Sequence, residues 1–152
     1  MKKNKDAVAE TIENNVRRLI IDEMPTNPKY FQRMSEILDQ LVKDRRQETV
    51  EYQQYLQKIT ELTKQVKDPG QNNHYSPSVN TRAKQALCDN LNQDEELALQ
   101  VDAGMRNRPD DWIGNKIKER QVKINLRQIL SSLSDEDFDR IFALVKEQNE
   151  YR

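Results

Sequence analysis

The chain has 152 residues, of which 25 are basic and 26 acidic, with 34% charged and 35% hydrophobic overall. So even a balance excludes a general pull toward nucleic acid or membrane, and any basic site must come from local clustering. A single cysteine, Cys88, excludes an intrachain disulfide, and no apolar run approaches the length of a membrane span. The length allows one domain or two small helical lobes. The composition suits long two-sided helices with thin apolar stripes. The start, Met1-Lys2-Lys3-Asn4-Lys5, has no apolar stretch of signal-peptide length behind it, so the expected compartment is the cytoplasm.

Helical spacing recurs along the chain, and strict alternation over strand length does not. A first helix is expected from about Asp6 to Glu23, with Ile12, Val16, Leu19, Ile20 and Met24 as its stripe. Pro25 and Pro28 end it, and Asn27-Pro28 reads as a cap followed by proline in the first turn of the next helix. That helix carries Tyr30, Phe31, Met34, Ile37, Leu38, Leu41 and Val42, and should finish near Arg45-Arg46, where positive charge suits the negative helix end. A third is expected from about Glu48 to Lys67 through Tyr52, Tyr55, Leu56, Ile59, Leu62 and Val66.

The segment from Asp68 to Ser78 is rich in Pro, Gly, Asn and Ser, so it reads as a loop and as the lobe boundary. Beyond it, Asn80 or Thr81 can cap a short helix with Ala83, Ala86, Leu87 and Leu91. Asn92-Gln93-Asp94-Glu95 opens another, leading into Leu97, Ala98, Val101 and Met105. Pro109-Asp110-Asp111-Trp112 breaks the pattern before a sixth helix from about Asn115 to Ser132. Ser134-Asp135-Glu136-Asp137 resembles a capping box with Asp in place of Glu. The last helix should carry Phe138, Ile141, Phe142, Val145 and Tyr151. The fold expected is all-α: about seven helices in an irregular bundle, divisible into two small lobes by the loop near 68–79.

Catalytic chemistry finds little footing. A phosphate-cradling loop needs closely spaced glycines followed by Lys and Ser or Thr, and Gly70, Gly104 and Gly114 are scattered. Cys88 and His74 alone cannot make a zinc site, so no metal is expected. Cys88 reads as a small packed residue and His74 as a solvated loop residue. Pro109-Asp110 has no acidic-x-Lys element after it, and its flanks are helical, so a metal-dependent nuclease is rejected.

On the sixth helix, Lys116, Arg120, Lys123 and Arg127 follow steps of four, three and four, which places them on one narrow face. Val122, Leu126, Ile129 and Leu133 form the apolar face about a third of a turn away. The basic stripe is a candidate grip for a phosphate backbone or an acidic partner surface, against the blander reading of a solvated face. Trp112, the one tryptophan, lies in a turn beside Ile113 and Gly114; it either packs between helix ends or anchors a partner.

Asn27-Pro28-Lys29-Tyr30-Phe31-Gln32-Arg33-Met34-Ser35-Glu36-Ile37-Leu38-Asp39 resembles the opening of the C-terminal helical region in HsdR-type motor subunits of type I restriction-modification enzymes. In order, Tyr55-Leu56-Gln57-Lys58-Ile59, Asn80-Thr81, Ala86-Leu87-Cys88-Asp89-Asn90-Leu91 and Glu95-Glu96-Leu97-Ala98-Leu99 continue the likeness. Asp110-Asp111-Trp112-Ile113-Gly114-Asn115, Ile117-Lys118-Glu119-Arg120 and Val145-Lys146-Glu147-Gln148-Asn149-Glu150-Tyr151 complete it. The upstream segment Ala9-Glu10-Thr11-Ile12-Glu13-Asn14-Asn15-Val16 is also similar, and the type IC branch is the nearest. Two positions depart from the family's habit: Ile113 stands where Arg is common, and Arg82 where Pro is common. The first weakens the case for this turn as a phosphate grip.

The resemblance implies a division into a linker helix over residues 1–24, leading from preceding motor domains, and a C-terminal helical domain over 25–152. Within the latter, the expected sub-lobes are about 25–67 and 80–152. It implies no catalytic residue in this chain, because the family's nuclease and ATPase motifs match no position here. ATP and Mg are implied only for those other domains, with no cofactor for this chain. The implied partners are the modification and specificity subunits of a methyltransferase core. Trp112 and Ile113 are candidate docking residues, and Lys116, Arg120, Lys123 and Arg127 are candidate contacts to duplex DNA. A membrane is not among the implied partners.

Overall fold

The computed structural model describes residues 2–72 and 75–152, the side chains of residues 2, 71 and 72 excepted. Among the described residues there are seven α-helices and no strand, so the chain is all-α as its periodicity predicts. They are α1 (Lys2–Glu23), α2 (Pro28–Arg46), α3 (Tyr52–Lys67), α4 (Arg82–Asn90), α5 (Glu95–Arg106), α6 (Lys116–Ile129) and α7 (Asp135–Glu147). Met24–Thr26, Pro69–Asn72 and Asn149–Tyr151 are short 3-10 turns. None of the described helices is long and apolar enough to cross a membrane. The chain divides into two compact units: Met1–Met24 with Pro28–Asn72, and Pro25–Asn27 with Asn73–Arg152.

In the first unit α1, α2 and α3 share one core. Ala9, Val16 and Ile20 come from α1, Tyr30, Phe31, Met34, Leu38 and Leu41 from α2, and Tyr55, Ile59, Leu62 and Val66 from α3. On α2 and α3 these positions recur at steps of three and four, the spacing that keeps one side of a helix facing inward. Ile37, expected within the α2 stripe, lies at its edge and is 39% exposed. Into this apolar layer the fold also places a charge. Glu13 is buried, and its two carboxylate oxygens accept from Arg45 Nε at 2.7 Å and Nη2 at 3.0 Å. Tyr55 donates its hydroxyl to the same carboxylate at 2.7 Å, and Arg45 Nη1 reaches Asp6 at 3.2 Å. A buried ion is tolerable only when its lone pairs and protons find such partners.

The join between α2 and α3 departs from expectation. The third helix begins at Tyr52, four residues after Glu48, because Glu48 has a left-handed backbone with φ of 55°. Glu48 N–H donates to the Arg45 carbonyl and Thr49 N–H to the Asp44 carbonyl, the paired bonds of a Schellman end. Glycine usually marks that end in a sequence, and here a glutamate fills it.

The second unit gathers α4, α5, α6 and α7 about Leu87, Ala98, Val101, Met105, Trp112, Leu126, Leu130 and Val145. Its helix starts follow the sequence closely. Thr81 caps α4 by accepting from Lys84 N–H, Asp94 caps α5 by accepting from Leu97 N–H, and Ser134 caps α7 by accepting from Asp137 N–H. At Gly104 an added Cβ would lie 2.8 Å from Ile129 Cδ1, so a larger residue there would make the Ile129 side chain shift where α6 meets α5. One expectation fails at the C-terminus. Tyr151 is not on the last helix: Gln148 turns extended, with φ −80° and ψ 122°, and Tyr151 follows in the 3-10 turn. Its buried ring donates its hydroxyl to Asp102 at 2.5 Å.

Buried polar groups in this unit are also met. The Asp89 carboxylate accepts from Asn27 Nδ2 at 2.9 Å, from Gln93 Nε2 at 3.1 Å and from the Tyr75 hydroxyl. Asp102 accepts from Tyr151 and, at 3.1 Å, from Arg106. Gln85 Oε1 is the exception among the described residues, a buried acceptor with no protein donor.

Candidate interaction face

The chain's candidate site residues lie on α6 and the turn before it. Asn115 sets the start of α6: its side-chain oxygen accepts from the N–H groups of Ile117 at 3.2 Å and Lys118 at 3.1 Å. The approach is tight, with Asp111 at φ 54° and Gly114 at φ 83°, both left-handed. Gly114 N–H donates to Glu119 at 3.2 Å, and Lys118 Nζ donates to the Asp110 carbonyl at 2.7 Å. The turn is therefore held from the helix side by both residues.

Trp112 resolves toward packing. It is 1% exposed, its Nε1 donates to the Tyr151 carbonyl at 2.6 Å, and its ring centre lies 6.2 Å from that of Phe142. An indole so enclosed has no ring surface to offer a partner. Its neighbour Ile113 differs, being 40% exposed.

The basic stripe splits in two. Lys116 and Arg120 are exposed, and their side chains make no hydrogen bond or ion pair with any described residue. Lys123, also exposed, holds its ammonium 5.7 Å from the centre of the Phe142 ring. Arg127 is turned to structural work. Its guanidinium donates to the carbonyls of Leu130 at 2.7 Å and Leu133 at 3.0 Å, pairs with Asp135 at 3.1 Å and lies over Phe138 at 5.1 Å. It closes the C-terminal end of α6, where orphan carbonyls need donors and the helix dipole favours a cation. Glu119, the one acid on α6, is taken by Lys146, whose ammonium holds the Glu119 carboxyl below its ordinary range.

Two residues that the stripe reading passed over complete the face. Ile117 is 81% exposed and Ile124 50% exposed. They stand about two turns apart on one side of α6, roughly half a turn from the buried Val122 and Leu126. The sequence does hold the signal: two isoleucines seven residues apart that do not fall on the core stripe. They are easy to absorb into a general impression of helical apolarity.

Among the described residues no group of three or more His, Cys, Asp or Glu could hold a metal ion. Cys88 is buried and donates weakly to Gln93 Oε1 at 3.5 Å, and burial raises its thiol pKa, which disfavours the thiolate. His74 lies outside the described residues. No protein-family model matches the chain, and neither a curated protein nor a solved structure does.

Proposed function

We propose that this chain is a non-catalytic assembly domain of a type I restriction endonuclease motor subunit, docking the DNA translocase and nuclease onto a methyltransferase core. The observation that carries this reading is the ordered series of likenesses to the HsdR-type C-terminal region, running from Asn27-Pro28 to the segment Val145–Tyr151. The exposed side of α6 and the turn before it are compatible with it, since Ile113, Ile117 and Ile124 offer apolar area there. Partners in this reading are the modification and specificity subunits, and the compartment is the cytoplasm. ATP and Mg belong to other domains of the parent enzyme, and no cofactor is assigned to this chain.

The test is size-exclusion co-elution of the chain with a purified core of modification and specificity subunits at moderate salt, without DNA. Co-elution is the expected result. A motor subunit that lacks this region yet assembles with the core at unchanged affinity would sink the proposal.

A second reading has its own support. Lys116, Arg120 and Lys123 project from one exposed face, and the first two have no internal ion-pair partner. As a DNA-contacting module the chain would hold phosphates through them, and affinity would fall steeply with salt through counterion release. Arg127, committed to the end of α6, adds less to this reading than its place in the stripe promised. Reversing Lys116, Arg120 and Lys123 to Glu and titrating duplex DNA across a salt series decides it; unchanged binding would reject the role.

A further inference from the structure

We propose that the outer face of α6 is the docking surface itself, and that its occupant is an acidic, apolar-centred helix of the methyltransferase core. This rests on the assembly reading above and gives it a location and a partner chemistry.

Three observations converge on that face. Ile117 and Ile124 are 81% and 50% exposed on a helix whose other side is fully used by the core of its unit. Large aliphatic side chains spaced by seven residues form the row that a second helix covers with its own i, i+3, i+4, i+7 positions. Alongside them run Lys116 and Arg120, exposed and unpaired. α6 itself adds no free acid to the face, because its one acid, Glu119, is engaged by Lys146 and the isoleucines are flanked on their other side by Gln121 and Gln128. An apolar row bordered by unsatisfied cations is complementary to a helix with an apolar row bordered by Asp or Glu.

Duplex DNA fits less well. Phosphates would satisfy Lys116 and Arg120 but would leave both isoleucines against a charged, hydrated backbone. A phosphate grip has no use for them, whereas a protein helix uses both halves of the face. The N-terminal edge is fixed for this purpose: Asn115 caps α6 and Lys118 ties it to the Asp110 carbonyl, so the row starts from a defined position.

The experiment compares the chain with two variants, I117S/I124S and K116E/R120E, in titrations with the purified core and separately with duplex DNA. All four positions are exposed, and circular dichroism with thermal melting checks that each variant remains folded. The first variant removes the apolar row and leaves every charge in place. The expectation is that each variant binds the core at least about tenfold more weakly, with I117S/I124S leaving DNA affinity unchanged. If the unaltered chain binds the core and I117S/I124S binds it equally well, the face assignment is overturned while the assembly reading stands. If the unaltered chain does not bind the core, both fall. If K116E/R120E loses DNA binding while I117S/I124S loses nothing, the face belongs to DNA. A concentration-dependent dimer of the chain alone that I117S/I124S abolishes, seen by sedimentation, assigns the face to a second copy and also overturns the proposal.

Discussion

The two units bury polar groups by different means. In the first, Glu13 is neutralised by the guanidinium of Arg45, with Tyr55 in support, inside a layer of aliphatic and aromatic side chains. In the second, Asp89 is met by Asn27, Gln93 and Tyr75, all neutral donors, while Asp102 combines the Tyr151 hydroxyl with the half-exposed Arg106. The first unit leans on one buried ion pair. The second spreads its polar burdens and leans instead on the aromatic group of Trp112, Phe138, Phe142 and Tyr151. Each unit should therefore fail at a different kind of residue.

The largest loss is expected from Trp112→Ala, at about 3–5 kcal/mol, since it removes a fully buried ring and leaves a cavity. The Tyr151 carbonyl also loses its indole donor. Amide exchange should rise in α4, α5, α6 and α7; a rise of the same size confined to α1, α2 and α3 would break the comparison.

Next is Glu13→Gln, at about 3 kcal/mol near neutral pH, because it leaves the Arg45 charge short of its main partner. This variant also sharpens the comparison through pH. Burial pushes the Glu13 pKa up, but hydrogen bonds from Arg45 and Tyr55 and the attraction of Arg45 outweigh it, so the carboxyl titrates below its ordinary 4.5. A folded-state pKa depressed in this way adds stability above the unfolded value and loses it as pH falls through the folded one. The advantage of the unaltered chain over Glu13→Gln should hold above pH 4.5 and shrink below it, as followed by denaturant melts across acid pH. An advantage constant down to pH 2 would mean that the ionised form of Glu13 is not what matters.

Ser134→Ala should cost about 1 kcal/mol through loss of the α7 cap. Urea titration would measure it, and no loss would mean that Asp135 and Glu136 at the helix start suffice without the hydroxyl. The smallest effect is expected for I117S/I124S, within about 0.5 kcal/mol, because neither side chain is part of the core. A clearly lower melting temperature would mean that the pair is packed rather than presented.

These contrasts also mark what a sequence can and cannot disclose. Caps were legible because they are local: Thr81, Asp94 and Ser134 each serve an N–H three residues on. The start of α3 was not, because Glu48 occupies a left-handed position that glycine ordinarily signals. Lys116, Arg120, Lys123 and Arg127 were readable as one stripe from their spacing, since a helix fixes the direction of each residue. That Arg127 bends to the carbonyls of Leu130 and Leu133 depends on where α6 stops, three residues earlier than its periodicity suggests. Neither the Glu13–Arg45 pair nor the Asp102–Tyr151 bond has a local signature, as their partners are 32 and 49 residues apart.

The contact at Gly104 bears on how the α6 face would behave under load. With Ile129 Cδ1 where a methyl group would otherwise stand, an α6 side chain rests directly on the α5 backbone at that crossing. Packed interiors give little under compression, and with glycine at 104 only one side chain, Ile129, stands between the two backbones there. A pull on Ile117 or Ile124 would meet α5 at that crossing, with the Ile129 side chain as the part free to adjust. Gly104→Ala should therefore be felt first as a shift of the Ile129 side chain, before it disturbs any residue on the face.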